Sequence, residues 1–155
     1  MTRVPASAQL LGLAGLIPFL WGAIVSLGLL DAANHDLAIG GLTILEVGDG
    51  RLLLVRYGVV ILCFMSGVLW GFATHATGRQ AAISYMLSVI PALWAFLYPG
   101  DSGDTALINL MVGFVMVLML DFAFWHWGLA PAWWMSLRIP LSLIVLGCLG
   151  IGVWA

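Results

Sequence analysis

Long apolar runs separated by short polar breaks organise this chain. No charged residue occurs in residues 10–30, 57–74 or 81–98. Each run is close to the ~20 residues a helix needs to cross a hydrocarbon core. Two further runs, 105–125 and 132–154, carry one charge each, Asp121 and Arg138. The pattern predicts an all-α fold, a polytopic membrane protein with five transmembrane helices in a compact bundle. Residues 1–155 then form a single transmembrane domain, with helices over about 8–30, 51–75, 81–98, 105–125 and 132–154.

The polar breaks set the ends of these helices. Asp49 precedes the second run as an N-cap, and Arg51 and Arg56 in its first turns can snorkel to the headgroups along their own stems. ATGRQ after His75 is short enough to force antiparallel neighbours, and PGDSGD at 99–104 is a turn by composition. WHWGLAPAWW has the tryptophans of an interfacial belt, with Pro131 placed to open the fifth helix. Pro18 and Pro91 fall inside runs, where each leaves a carbonyl without its donor, at Ala14 and Leu87, and predicts a kink. Residues 31–50, DAANHDLAIGGLTILEVGDG, form the longest polar interruption. Their apolar centre is too short to cross and is broken at Gly40-Gly41, so it either lies on the interface or forms a short strand pair; the residues do not choose.

Composition narrows the class further. With 63% hydrophobic residues, 8% charged residues and a mean hydropathy of +1.13, polar surface is too scarce to cover a soluble globule, and the lipid bilayer is the expected partner. The net charge of −2 and Arg residues scattered at 3, 51, 56, 79 and 138 exclude a basic nucleic-acid surface. The opening MTRVPASAQ lacks the Arg and Ser content of a transit peptide. The run after it exceeds the apolar core of a secretory signal, so the first segment is expected to be retained. Five crossings place Arg3, Arg79 and Arg138 on the N-terminal side and Arg51 and Arg56 opposite, which favours a cytoplasmic N-terminus.

Candidate chemistry is sparse. Gly67 and Gly71 form a small-xxx-small pattern in the second helix, and Ser84, Ser88 and Ala92 recur every four residues in the third. These two stripes are expected to pack against each other. Asp121 and Arg138 lie on either side of one short helical hairpin at similar depth, where they can meet. Unpaired, each would cost about 2.5–3.5 kcal/mol at a helix centre. The pair reads as a proton relay or polar binding site, or as a clasp between the fourth and fifth helices; two groups make no continuous path across a bilayer, which favours the clasp. A ligand cavity is expected near Pro18 and Pro91, lined by Trp70, Trp94 and Asp121. His75 and His126 share a side and invite a bis-His haem reading, but both sit at helix ends, where an interfacial role is the plainer one; His35 is on the other side. There is no HExxH, no CxxC and no nucleophile flanked by a base, so no metal and no cofactor are expected. Cys63 and Cys148 lie in apolar runs and read as small buried hydrophobes.

Taken in order, GLAGLIPFLWGA, RYGVVILCFMSGVLWGFA, YMLSVIPALWAF and the segment from Asp121 to PAWWMSLR resemble the small family of bacterial and mitochondrial membrane proteins that includes transmembrane protein 69, a domain of unknown function. The resemblance covers nearly the whole chain. It implies an integral membrane protein and, without a transit peptide, the bacterial inner membrane; it brings no activity, cofactor or catalytic residue. The second-helix motif departs from the family's Ser-Phe-Gly-Gly cluster, reading Cys63, Phe64, Met65, Ser66, Gly67 before Val68, Leu69 and Trp70, which weakens inference about close packing at Ser66. The tryptophan-rich sensory proteins share the five-helix outline, but their paired prolines beside Trp in the first loop are missing from residues 31–50. The expected role is a structural or accessory one, associating with another membrane protein in the bilayer plane. The alternative is a carrier or receptor for a small hydrophobic ligand such as a quinone, lipid or tetrapyrrole, and a membrane enzyme comes third.

Overall fold

A computed structural model describes residues 3–29, 37–39, 42–45, 49–98 and 103–155. Each apolar run becomes helix, because inside a bilayer a backbone must satisfy its own hydrogen bonds and a helix does so within one segment. The first run divides into α1 (Ala6–Ala14) and α2 (Ile17–Ser26). The others give α3 (Gly50–Ala73), α4 (Gly78–Leu97), α5 (Asp104–His126) and α6 (Trp134–Trp154). With α1 and α2 counted together, five helical segments are long and apolar enough to cross a membrane.

The kink expected at Pro18 is a break one turn earlier. Pro18 sits in the first turn of α2, where a missing N–H costs little, and the chain steps across Gly15 and Leu16 with Leu16 N donating to Leu13 O at 3.0 Å. Pro91 and Pro140 stay inside continuous helices. Between α2 and α3 the chain forms a two-stranded antiparallel hairpin, β1 (Leu37–Ile39) with β2 (Leu42–Leu45), which resolves the choice left open at residues 31–50 in favour of the strand pair. His35 lies outside the described residues.

At the start of α3, Asp49 caps as its position predicts, its carboxylate accepting from Arg51 N and Leu52 N at 3.0 Å each. Arg51, expected to snorkel, instead pairs with Asp104 at the start of α5. The fifth span begins at Trp134, after a turn in which Trp134 N donates to Pro131 O at 2.9 Å, so Pro131 precedes the helix and does not open it.

The spans form a ring in chain order. α2 meets α3, α3 meets α4, α4 meets α5, α5 meets α6, and α6 closes on α2, while α3 and α5 touch across the middle. α1 rests on α6. The shared core is apolar, with Phe19, Leu54, Leu62, Leu107, Phe114 and Leu149 almost fully enclosed. Outward faces are apolar too: Phe96 is 78% exposed and Met86 70%, side chains that a soluble domain would bury and a bilayer covers.

Close approach depends on other glycines than those expected. At Gly113 a methyl group would stand 2.7 Å from a Leu62 methyl carbon, and Gly50 lies against the backbone of Gly22. Gly67 and Gly71, by contrast, are exposed, and a methyl group on either would meet nothing within 4 Å. The expected pairing of this stripe with Ser84 and Ser88 is therefore not what the fold contains. The serines are buried in α4, and the polar link across this interface is Ser66 Oγ donating to Ser88 O. The helix is turned by about one residue from the expected face, since Ser66 and Leu62 rather than Gly67 and Gly71 point inward.

Candidate functional site

Two helices and the turn between them build the polar centre of the bundle. α5 is closed off two residues beyond His126 by Gly128, whose φ of +73° a residue with a side chain rarely adopts. There Gly128 N donates to Trp125 O and Leu129 N to Phe124 O, a Schellman closure that reverses the chain tightly. The reversal sets Asp121 of α5 opposite Arg138 of α6. Arg138 Nε donates to Asp121 Oδ2 at 2.7 Å, and Trp134 Nε1 donates to Oδ1 at 2.8 Å. Asp121 is fully buried and Arg138 is 6% exposed.

Both carboxylate oxygens are thus held by donors one helical turn apart on α6, which orients the carboxylate and the guanidinium together. Trp134 is itself held by Phe72 of α3, edge to face at 4.9 Å between ring centres. Two further polar atoms are less well served. Arg138 Nη2 and Ser142 Oγ are buried and have no partner among the described residues. A buried polar group without a partner costs about 1–3 kcal/mol.

Arg138 and Ser142 border a cleft of about 650 Å³. Its walls come from Gly12 on α1, Leu16 in the break, Phe19 on α2, Met65, Val68 and Phe72 on α3, and Phe114 on α5. Ala8, Phe72 and Trp133 place it in the half of the bundle that carries the N-terminus. Two of its lining residues, Leu11 of α1 and Phe64 of α3, are 70% and 63% exposed, so the cleft reaches the apolar outer surface of the bundle. A volume in the range of roughly 300–1,000 Å³, apolar walls and a few convergent polar groups are the usual features of a small-molecule site.

This cleft is not the one expected. Pro18, Trp70, Pro91, Trp94 and Asp121 do not line it. Trp94 Nε1 donates to Asn109 O at 2.8 Å and ties α4 to α5, while Trp70 packs on Tyr85 at the outer surface. Pro91 is buried in α4 packing and Pro18 is half-buried in α2. The histidines also stay apart from the cleft: both are exposed, His75 Nδ1 lying 3.3 Å from Phe72 O and His126 stacking on Phe122 of its own helix. Cys148 is buried, whereas Cys63 is exposed on the outer face.

A model of the family described as "Protein of unknown function (DUF3429)" matches residues 4–154. The chain belongs to the DUF3429 family. It is also 33% identical over 144 residues to transmembrane protein 69 of Xenopus tropicalis, an alignment covering 90% of this chain and 51% of the relative. The chain therefore spans about half the length of that curated relative. No solved structure matches. Five apolar spanning helices in a chain of the DUF3429 family describe a membrane protein, with the lipid bilayer as its surroundings.

Trp134 and Ser142 are site residues not among those expected from the chain alone. Both carried a signal: Trp134, Arg138 and Ser142 are spaced by four, which on a helix puts them on one face. Gly12, which leaves room in the wall opposite, had no comparable mark; only its facing of Leu141, 3.0 Å from where a methyl group would stand, reveals it.

Proposed function

We propose that this protein binds a small hydrophobic molecule within the bilayer, as a carrier or receptor. One observation carries the reading: an apolar cleft of about 650 Å³ reaches the outer surface of the bundle, and among the described residues that line it Arg138 is the one charged side chain. A purely structural clasp needs no such space beside it, and cores are ordinarily packed with few voids larger than a water molecule. Native mass spectrometry after gentle detergent extraction tests this. A small molecule retained in stoichiometric amount supports it; a bare chain that takes up no apolar compound on addition refutes it.

A second reading, a structural or accessory protein associated with another membrane protein, is favoured by Gly67 and Gly71. Their outward position leaves a smooth strip on α3 where a partner helix could come close. The same spectra separate the two, because that reading requires a stoichiometric protein partner. For location we favour the bacterial inner membrane with a cytoplasmic N-terminus, on the balance of Arg3, Arg79 and Arg138 against Arg51 and Arg56. A reporter active only outside the cytoplasm, fused to the C-terminus, should then give signal; silence there with signal from a fusion after Arg79 would invert the arrangement.

A further inference from the structure

We infer that the cleft recognises a planar, uncharged, carbonyl-bearing ring with an apolar tail, the chemistry of a prenylated quinone. The inference rests on the ligand-binding reading above and specifies its substrate class.

Charge is the first reason. The Arg138 guanidinium already faces the Asp121 carboxylate at 2.7 Å, so the local sum is neutral. A carboxylate or phosphate headgroup would add an uncompensated negative charge in a site walled by apolar side chains, which is strongly unfavourable. What the wall lacks is a hydrogen-bond acceptor. Arg138 Nη2 and Ser142 Oγ are buried donors without a partner among the described residues, on side chains 6% and 1% exposed. They stand one turn apart on the same face of α6, on two residues that line the cleft; both atoms are sealed from it, and a single carbonyl oxygen with two lone pairs accepts from both once the two side chains turn toward it.

Shape is the second reason. Phe19, Phe72, Phe114 and Trp134 all line the cleft and supply aromatic surface, and flat rings gain from offset and edge contacts that a saturated chain does not make. Leu11 and Phe64 carry the lining out to the apolar outer surface, so a tail can leave the cleft along them without meeting a polar group.

The test uses the purified full chain in detergent, equilibrated in turn with a para-benzoquinone bearing a decyl tail, with methyl decanoate and with decanoic acid, and observed by native mass spectrometry. A one-to-one adduct with the quinone is expected, several-fold more abundant than with either control. Ser142→Ala should weaken it by roughly threefold to tenfold, the loss that follows removal of one buried hydrogen bond. Arg138→Lys, which keeps the charge beside Asp121 but removes Nη2, should weaken it at least as much; if that variant does not accumulate, Ser142→Ala alone decides the point. Val68→Trp, which fills the cleft away from the ion pair, should abolish the adduct. Equal or tighter binding of the acid would overturn the charge argument, and equal binding of the ester would overturn the ring. Quinone binding insensitive to Ser142→Ala and Val68→Trp would place it elsewhere and overturn the inference as well. If the ester or acid binds and Val68→Trp removes it, this inference fails while the cleft remains a binding site; if no compound binds, both fail.

Discussion

Replacing Asp121 by Asn removes the negative half of a buried ion pair while keeping the side chain's shape. The amide oxygen can still accept from Trp134 Nε1, but Arg138 loses the charge that faces it at 2.7 Å. Removing one partner of a buried pair costs about 3–5 kcal/mol, because the remaining charge is left uncompensated. The tryptophan hydrogen bond survives, so the lower end, near 3 kcal/mol, is the expected loss. For a chain of this length about 2–4 °C of melting temperature accompanies each kcal/mol, so a drop of roughly 6–12 °C is expected. Arg138→Gln should cost a similar amount, as it strands the carboxylate. The double variant Asp121→Asn with Arg138→Gln leaves two neutral groups able to hydrogen-bond, and it should recover at least half of either single loss. The assay is thermal unfolding of purified protein in detergent, followed by fluorescence-detected size exclusion. Single variants melting like the parent, or losses that simply add in the double variant, would show that the pair does not clasp α5 to α6.

Glycine positions offer a sharper contrast. Gly113→Ala, whose methyl group would meet Leu62 at 2.7 Å, should destabilise by about 1–3 kcal/mol, whereas Gly67→Ala should leave melting unchanged or slightly raised; reversal of that order would contradict the helix rotation described above. Ser66→Ala, which removes the donor to Ser88 O between α3 and α4, should lower stability by about 0.6 kcal/mol, the mean for such bonds between membrane helices, as measured by reversible unfolding in mixed micelles. Asp104→Asn should alter stability by no more than about 1 kcal/mol in the same measurement, because its pair with Arg51 is solvent-exposed.

Which parts of this molecule can be read along the chain follows from the range of the forces involved. The meeting of Asp121 and Arg138 was foreseeable because a short link between two spans of known length fixes their depth. The Asp49 cap depends on residues two and three positions away and is equally local. Gly67 and Gly71 misled because a small-xxx-small pattern shows that a helix has a smooth strip without showing where the strip points. The rotation of α3 depends on Leu54, Leu62 and Met65 filling the space inside the ring, a demand made by distant segments. The tryptophans divided for the same reason: Trp70 remained at the surface, while Trp94 and Trp134 acquired hydrogen-bond partners on neighbouring segments.

The sequence by itself determined that the protein is a set of five apolar membrane helices, their approximate limits and the depth of their few charges. Those properties depend on spanning length and the cost of burying charge, both set by consecutive residues. Only the tertiary structure decided the closure of α6 on α2, the lipid-facing position of Gly67 and Gly71, and the cleft beside Arg138. A cavity is the space left between side chains from four segments, and no single segment contains the information that locates it.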